Sequence, residues 1–272
     1  MPLKLSASLA FEFPQPSDAL LQIEAAPMSD QRILSARIDI DHPSKLSRVS
    51  GEDNVGQRIW ISGEGPVRVQ YDARIQITRE DPVLAGLEAV PFPQLSDAAT
   101  SYLFDSRYCH PTQYAAFAQN EFGHIANPGE RAQAIRDWVA NHVEYTIGAS
   151  DSATTATDTF HSGQGICRDF AHLFVTLARA CALPARFAAC YAPGVRPQDF
   201  HAVAQVYLSD PSAPGEGTWR LVDATGMAQL SQTAIIGVGR DAADVSFLTS
   251  FGPMQFHSSE VKVELETAEA EA

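Results

Sequence analysis

Residues 163–182, with the sequence GQGICRDFAHLFVTLARACA, constrain the fold of this chain more than any other stretch. A glycine-rich turn opens the stretch, and Cys167 follows it where a helix is expected to begin. The apolar residues after it recur at the spacing of a helix with one buried stripe: Phe170, Leu173, Phe174, Leu177, Ala178 and Cys181. The helix dipole and the unpaired N–H groups of a first turn both favour a thiolate. The stretch therefore predicts a cysteine nucleophile at a helix N-terminus that is held rigidly against a core.

The first part of the chain is predicted to be rich in antiparallel strands. Its clearest strand covers residues 66–78, where six apolar residues alternate strictly with six polar ones. Shorter runs of the same kind lie at residues 3–13, 19–25, 33–40 and 58–62. Turn-forming residues at 14–18 and 51–54 separate them. Several short strands with turns between them indicate a small antiparallel β-sandwich.

The second part of the chain is predicted to combine helices with further strands. Asn127 as the N-cap and Pro128 in the first turn predict a helix start. The predicted strands after the cysteine helix are residues 185–191, 201–208, 218–223, 245–248 and 254–265. The chain is therefore predicted to be α+β, with an N-terminal β-sandwich domain (1–93), a connector (94–111), a second domain of helices packed on an antiparallel sheet (112–265) and an acidic tail (266–272).

The composition excludes several classes of protein. With 45% apolar and 19% charged residues, the chain of 272 residues can bury a full core. Its formal net charge is −14 and it has no cluster of Lys and Arg, so we expect no nucleic-acid partner. No run approaches about 18 consecutive apolar residues, so no membrane segment is expected. The four cysteines form no CxxC pair and the N-terminus lacks a leader pattern, which makes a reduced, cytoplasmic setting the default expectation.

Three residues have the types that thiol catalysis requires. A thiol nucleophile needs a base that shares its proton, and the base needs a group that orients it. His201 begins the alternating run HAVAQVYL, and Asp223 ends the run WRLVD. Adjacent antiparallel strands joined by a loop can hold these two residues side by side. A hydrogen bond between them would fix the imidazole tautomer and stabilise an imidazolium facing the thiolate of Cys167.

The same residues carry a resemblance to a known family. Four pieces occur in order: GICRDF at the head of a helix, LPARF in the strand after it, DFHAV at the start of another strand and LVDAT at the end of the next. In this combination the chain resembles the transglutaminase-like superfamily. It looks most like the bacterial and archaeal members that carry a β-sandwich before the catalytic core, and the catalytic match covers residues 128–230.

The resemblance implies a papain-like α+β core in which Cys167, His201 and Asp223 are the catalytic residues. It implies thiolate attack on an amide, a thioester intermediate, and transfer of the acyl group to an amine or to water. The substrate would be a peptide or a small amide, and no cofactor is expected. The backbone N–H of Cys167 is the expected oxyanion donor. Gln164 is close in sequence and is a candidate contributor to the same site.

Two positions depart from the family pattern. Many relatives carry Trp after the His-Ala pair and an acid two residues further on, whereas this chain has Val203 and Gln205. We expect both side chains to shape the cleft next to His201 and to influence which substrate binds.

Several other residues are expected to be structural. Cysteine is among the most buried residue types, so Cys181 and Cys190 are predicted to belong to the core. His172 is predicted to be packed or hydrogen-bonded within the helix. A metal site formed by His161, Cys167 and His172 would have no common ligand spacing, so no metal is expected.

The leading functional hypothesis is a cysteine-dependent acyl-transfer enzyme that hydrolyses amide or peptide bonds rather than cross-linking proteins. Hydrolysis is favoured only because microbial relatives with this architecture are widely regarded as peptidase-like. The alternative is a binding or scaffold protein that keeps the fold without catalysis. The N-terminal domain is also a candidate surface for a protein partner, and the residues leave the oligomeric state open.

Overall fold

A computed structural model of the chain describes residues 2–41 and 43–266. Its strands, in chain order, are β1 (Leu3–Leu21), β2 (Gln31–Ile40), β3 (Lys45–Ser50), β4 (Gln57–Ile77), β5 (Glu144–Tyr145), β6 (Gln164–Gly165), β7 (Ala185–Tyr191), β8 (His201–Ser209), β9 (Gly217–Val222), β10 (Ala234–Gly239), β11 (Leu248–Ser250) and β12 (Gln255–Leu265). Its α-helices are α1 (Asp97–Ser101), α2 (Ala115–Phe122), α3 (Pro128–His142), α4 (Ala156–Ser162) and α5 (Cys167–Ala180). Helices and antiparallel sheets together confirm the predicted α+β class.

The first sheet is a six-stranded antiparallel sheet built on two long strands, β1 and β4. Its order is β11–β1–β4–β2, with β12 also pairing with β1 and β3 with β4. Residues 14–18, predicted as a turn, lie inside β1, where the pairing with β4 shifts between Phe13 and Ser17. Such a bulge accommodates prolines, which cannot donate to the ladder. The strands on both sides of the bulge therefore belong to one hydrogen-bonded sheet.

The last two strands also belong to the first sheet, which differs from the predicted division of the chain. β12 pairs with residues 3–12 of β1, and β11 pairs with residues 19–21. A strand was predicted at 254–265, but as part of the second domain. The reason for the difference is the edge of β1, which would otherwise present a long row of unpaired backbone groups.

The acidic tail was predicted at residues 266–272. Glu266 is tied to the first sheet, because its N–H donates to the carbonyl of Pro2 at 2.9 Å and its carboxylate pairs with Arg74 at 2.6 Å. Residues 267–272 lie outside the described residues.

The second sheet is antiparallel with the order β10–β7–β8–β9, and α5 packs on one of its faces. As predicted, α5 begins at Cys167, and α3 begins at Pro128 with Asn127 as its cap. The pattern predicted one buried stripe on α5, but every residue from 169 to 179 is buried because α2, α3 and α4 pack around the rest of the helix. β10 was not predicted, because its sequence AIIGVG contains two glycines and no alternation.

The two sheets share a core. Tyr191 of β7 and Ile236 of β10 pack within the apolar cluster of the first sheet. The hydroxyl of Tyr191 donates to the Ile23 carbonyl at 2.7 Å. The side chain of Gln31 donates to the Ile235 carbonyl at 2.8 Å and accepts from the Ile235 N–H at 2.7 Å. Buried polar groups are thus paired across the boundary, and the two sheets form one packed unit.

Candidate active site

The N-terminus of α5 is built by a tight turn that holds Cys167 in the first helical position. Gly163 ends α4 in the left-handed region, with φ 64°. Gly165 lies so close to Asp169 that a Cβ added to it would be 2.7 Å from the Asp169 Cβ. The Asp169 carboxylate accepts from the Ile166 N–H at 2.9 Å and so caps the helix. Cys167 is half-buried and keeps part of its surface accessible.

The hairpin of β8 and β9 brings His201 and Asp223 together. Ala204 lies opposite Val222, so the first residue of β8 and the residue after β9 share one end of the hairpin. The His201 Nε2 and Asp223 Oδ2 atoms are 3.2 Å apart. The two residues are only 2% and 8% exposed. The hydrogen bond expected from the strand order is therefore present in a site that is largely closed to water.

The Asp223 carboxylate is fixed by further donors from the loop that follows it. The N–H and hydroxyl of Thr225 donate to Oδ1 at 2.8 and 2.7 Å, and the Ala228 N–H donates to Oδ2 at 2.9 Å. Burial raises the pKa of Asp223, but the hydrogen bonds from His201, Ala228 and Thr225 outweigh it and hold the pKa below its usual value. The carboxylate is therefore ionised at neutral pH and aimed at His201.

The charge of His201 is set by its two neighbours. Burial lowers the pKa of the imidazole, but the hydrogen bonds and negative charges of Asp223 and Cys167 outweigh it and raise the pKa to about 9. The ring is therefore an imidazolium at neutral pH. Asp223 occupies Nε2, whereas Nδ1 is buried without a hydrogen-bond partner among the described residues. Nδ1 is thus the nitrogen that remains to exchange a proton with the Cys167 thiol.

Tyr145 also lies at the site, although the sequence analysis did not identify it. It belongs to β5, which runs parallel to β6, and it lies opposite Gly165. Burial raises the pKa of the phenol to about 12, and the charge of the neighbouring Cys167 thiol contributes to the same shift. The phenol is therefore protonated at neutral pH and lies next to the candidate nucleophile. A strand of two residues has no periodicity, so no sequence signal marked this tyrosine.

The three residues expected to bind substrate lie in three different environments. Gln164 is exposed in β6. Val203 is 1% exposed, in an apolar cluster of the second sheet. Gln205 is 3% exposed, accepts from Arg186 Nε at 2.7 Å and lines a separate cavity of about 710 Å³. The expectation for Val203 and Gln205 is corrected because β8 is a central strand, whose first six residues are all buried.

The other cysteines belong to the core, as predicted for Cys181 and Cys190. Burial raises the pKa of Cys109 to about 12, that of Cys181 to about 11 and that of Cys190 well above its ordinary value. None of these three thiols offers a thiolate at neutral pH. His172 is also buried as predicted: burial lowers its pKa to about 3, and its Nε2 accepts from the Ala242 N–H at 3.1 Å.

Comparison with known proteins identifies the family. A sequence model of the transglutaminase-like superfamily matches residues 115–224. The crystal structure of a candidate cysteine protease from Cytophaga hutchinsonii superposes with a TM-score of 0.88 and 30% identity, over 99% of this chain and 92% of that one. The chain belongs to the transglutaminase-like superfamily.

Curated relatives match part of the chain. An uncharacterized protein of Mycobacterium leprae is 27% identical over 123 residues, which cover 44% of this chain and 43% of the relative. An uncharacterized protein of Mycobacterium tuberculosis is 29% identical over 160 residues, which cover 46% of this chain and 49% of the relative. The chain spans about half the length of these curated relatives. Across residues 2–41 and 43–266, no helix has the length and apolarity needed to cross a bilayer.

Proposed function

We propose that this protein is a cysteine-dependent acyl-transfer enzyme that cleaves an amide or peptide bond through a thioester. The observation that carries the proposal is the buried hydrogen bond between His201 and Asp223, which leaves Nδ1 of His201 available to Cys167. Burying two ionised groups costs several kcal/mol of desolvation per ion. Such pairs cluster at functional sites, where the charge is needed for chemistry.

In the proposed reaction Cys167 is the nucleophile. Its Sγ forms a bond to the substrate carbonyl carbon, and the π electrons of the carbonyl move onto the oxygen. The N–H of Cys167, which lies in the first turn of α5 and has no partner within the helix, donates to this oxyanion. The oxyanion then collapses, the C–N bond breaks, and the leaving nitrogen takes the proton from Nδ1 of His201. The acyl group remains on Cys167 as a thioester.

The second half of the proposed reaction reverses the proton movement. Water or an amine attacks the thioester while Nδ1 of His201 accepts the proton of the attacking group. The C–S bond breaks and the thiolate of Cys167 returns. Throughout, Asp223 holds the ring through Nε2 and compensates its positive charge. We propose water as the acceptor and a peptide or small amide as the substrate, because the relative from Cytophaga hutchinsonii carries the description of a cysteine protease.

Replacement of the nucleophile tests the proposal. Cys167→Ala is expected to abolish both hydrolysis of a peptide panel and incorporation of a fluorescent amine. Cys181→Ala is the matched control, because Cys181 follows the same helix and its thiol stays protonated. Peptide hydrolysis that survives Cys167→Ala would exclude Cys167 as the nucleophile. The ratio of hydrolysis to amine incorporation in the unmodified protein distinguishes a hydrolase from a transferase.

The rival hypothesis is a scaffold protein that keeps the fold without catalysis. The pH dependence of alkylation by iodoacetamide separates the two. The enzyme is expected to react rapidly already at neutral pH, because the neighbouring His201 is an imidazolium there. A scaffold would show alkylation that rises only through about pH 8.5, the ordinary range of a cysteine thiol. Because the three other thiols are protonated at neutral pH, the rapid phase reports on Cys167.

A further inference from the structure

The proposed reaction needs more than one hydrogen-bond donor for its oxyanion. Acyl-transfer sites stabilise this charge with donors placed in advance. At the start of α5, the N–H of Cys167 is one such donor, whereas the N–H of Ile166 is already bonded to Asp169 at 2.9 Å. Gln164, the side chain expected to help, is exposed in β6. The backbone of the turn therefore supplies one donor, and a second donor on a neighbouring element would complete the pair.

β5 is the element that lies against this turn. The N–H of Thr146 donates to the Gly165 carbonyl at 2.9 Å, and the N–H of Glu144 donates to the Gly163 carbonyl at 2.8 Å. These two bonds fix Tyr145, which lies between their donors, opposite Gly165. Cys167 follows Gly165 by two residues, so these hydrogen bonds hold the backbone of Tyr145 beside the turn that precedes Cys167.

The ring of Tyr145 extends along the first turn of α5. It packs against the ring of Phe170 with a centroid distance of 6.0 Å. Phe170 follows Cys167 by about one helical turn. Tyr145 therefore contacts the chain both before Cys167, at Gly165, and after it, at Phe170. Cys167 also contributes to the raised pKa of the phenol, which agrees with this placement of the ring beside the cysteine. The phenol ring therefore lies beside the turn that carries Cys167.

We propose that the hydroxyl of Tyr145 is the second oxyanion donor, acting together with the backbone N–H of Cys167. This inference rests on the proposed function. When Sγ of Cys167 bonds to the carbonyl carbon, the hydroxyl turns its proton toward the oxygen that receives the π electrons. The proton stays on the phenol, and the hydrogen bond weakens again when the carbonyl reforms and the leaving group departs. A phenol with a pKa of about 12 remains protonated across the working range, as a donor must.

The test uses two reactions of the same thiol in the full chain. Acylation by p-nitrophenyl acetate passes through an oxyanion, whereas alkylation by iodoacetamide does not. Tyr145→Phe removes only the hydroxyl and is expected to slow acylation by about 10²–10³-fold, the usual effect of removing one oxyanion donor. Alkylation is expected to change by less than about threefold. Tyr207→Phe is the matched control, because Tyr207 lies on β8 and packs on Trp219 at 5.0 Å.

Two results would overturn the assignment. Acylation that is unchanged in Tyr145→Phe would exclude the hydroxyl as a donor. A parallel fall in acylation and alkylation would show that Tyr145 acts on the thiolate and not on the oxyanion. Thermal melting of each variant verifies folding, since the Phe ring keeps the packing on Phe170. Failure of the proposed function is separately visible, because Cys167→Ala would then leave acylation at the rate of the unmodified protein.

Discussion

Asp223→Asn tests whether a buried carboxylate sets the charge of His201. The substitution keeps the shape of the side chain and removes its negative charge. In the unmodified protein the carboxylate accepts from His201 Nε2, from both donors of Thr225 and from the Ala228 N–H. An Asn side chain has only one oxygen to offer these donors. Its NH₂ group must then face either His201 or the loop.

The size of the effect follows from the balance that sets the pKa of His201. Burial lowers this pKa, and the interactions with Asp223 and Cys167 raise it to about 9. At pH 7.5 a group with this pKa is about 97% protonated, whereas one with the ordinary pKa of 6.5 is about 9% protonated. Loss of charge alone therefore reduces the active fraction by about tenfold. Loss of ring orientation as well extends the expected fall in kcat toward about 10⁴-fold.

The assay is the pH profile of amide turnover, recorded with the alkylation profile of Cys167. Turnover by the unmodified protein is expected to fall as pH rises through about 9, because the leaving nitrogen then lacks the proton of His201. In Asp223→Asn this falling limb is expected at a lower pH, because Cys167 alone then opposes the effect of burial on the pKa of His201. Asp210→Asn is the matched control, because Asp210 forms a surface turn at the other end of the same hairpin.

One result would refute the reasoning directly. If Asp223→Asn kept kcat within about threefold and lost activity through the same alkaline range, the carboxylate would control neither the charge nor the orientation of His201. The high pKa of His201 would then have to come from Cys167 alone.

Three further outcomes are expected. Gly165→Ala introduces a Cβ 2.7 Å from the Cβ of Asp169 and should lower the free energy of unfolding in urea by about 1–3 kcal/mol. Val203→Ala should lower the free energy of unfolding by about 2 kcal/mol, because Val203 is buried. The ratio of kcat/KM between two peptide substrates should stay unchanged, and a changed ratio would show that Val203 shapes the cleft. The pKa of His201 is higher in the folded chain than its ordinary 6.5, so its stabilisation of about 3 kcal/mol is present below pH 6.5 and is lost as pH rises through about 9. A His201→Asn variant should show a smaller alkaline loss of stability, and an equal loss in both proteins would contradict the assignment.

The parts of the site that could be predicted from sequence are those with local patterns. The start of α5 at Cys167 follows from a glycine turn and helical spacing, both of which are short-range signals. That His201 and Asp223 lie close to each other follows from two alternating runs joined by one loop, since such runs pair as a hairpin. In each case the structure depends on residues close in sequence, so the local sequence pattern is enough to predict it.

The parts that could not be predicted depend on contacts between distant segments. Tyr145 reaches the site through two backbone hydrogen bonds to the turn before α5, and its own strand is too short to show a period. Gln205 was expected in the cleft because many relatives of the family carry an acid at this position, but Arg186, which lies opposite it on the neighbouring strand, binds its side chain. The pairing of β12 with β1 likewise depends on which edge is free in the folded molecule.

The place of β12 beside β1 sets the order in which this protein can be assembled. β1 leaves the ribosome long before its partner along residues 3–12, which emerges only after the second sheet and α5 have been synthesised. Until then the nascent chain carries an unpaired strand edge that neighbouring nascent chains can join. Contacts of such long sequence separation also slow folding. The first sheet is therefore expected to close only after the second sheet and α5 have been synthesised, and a chain stopped before residue 255 is expected to aggregate.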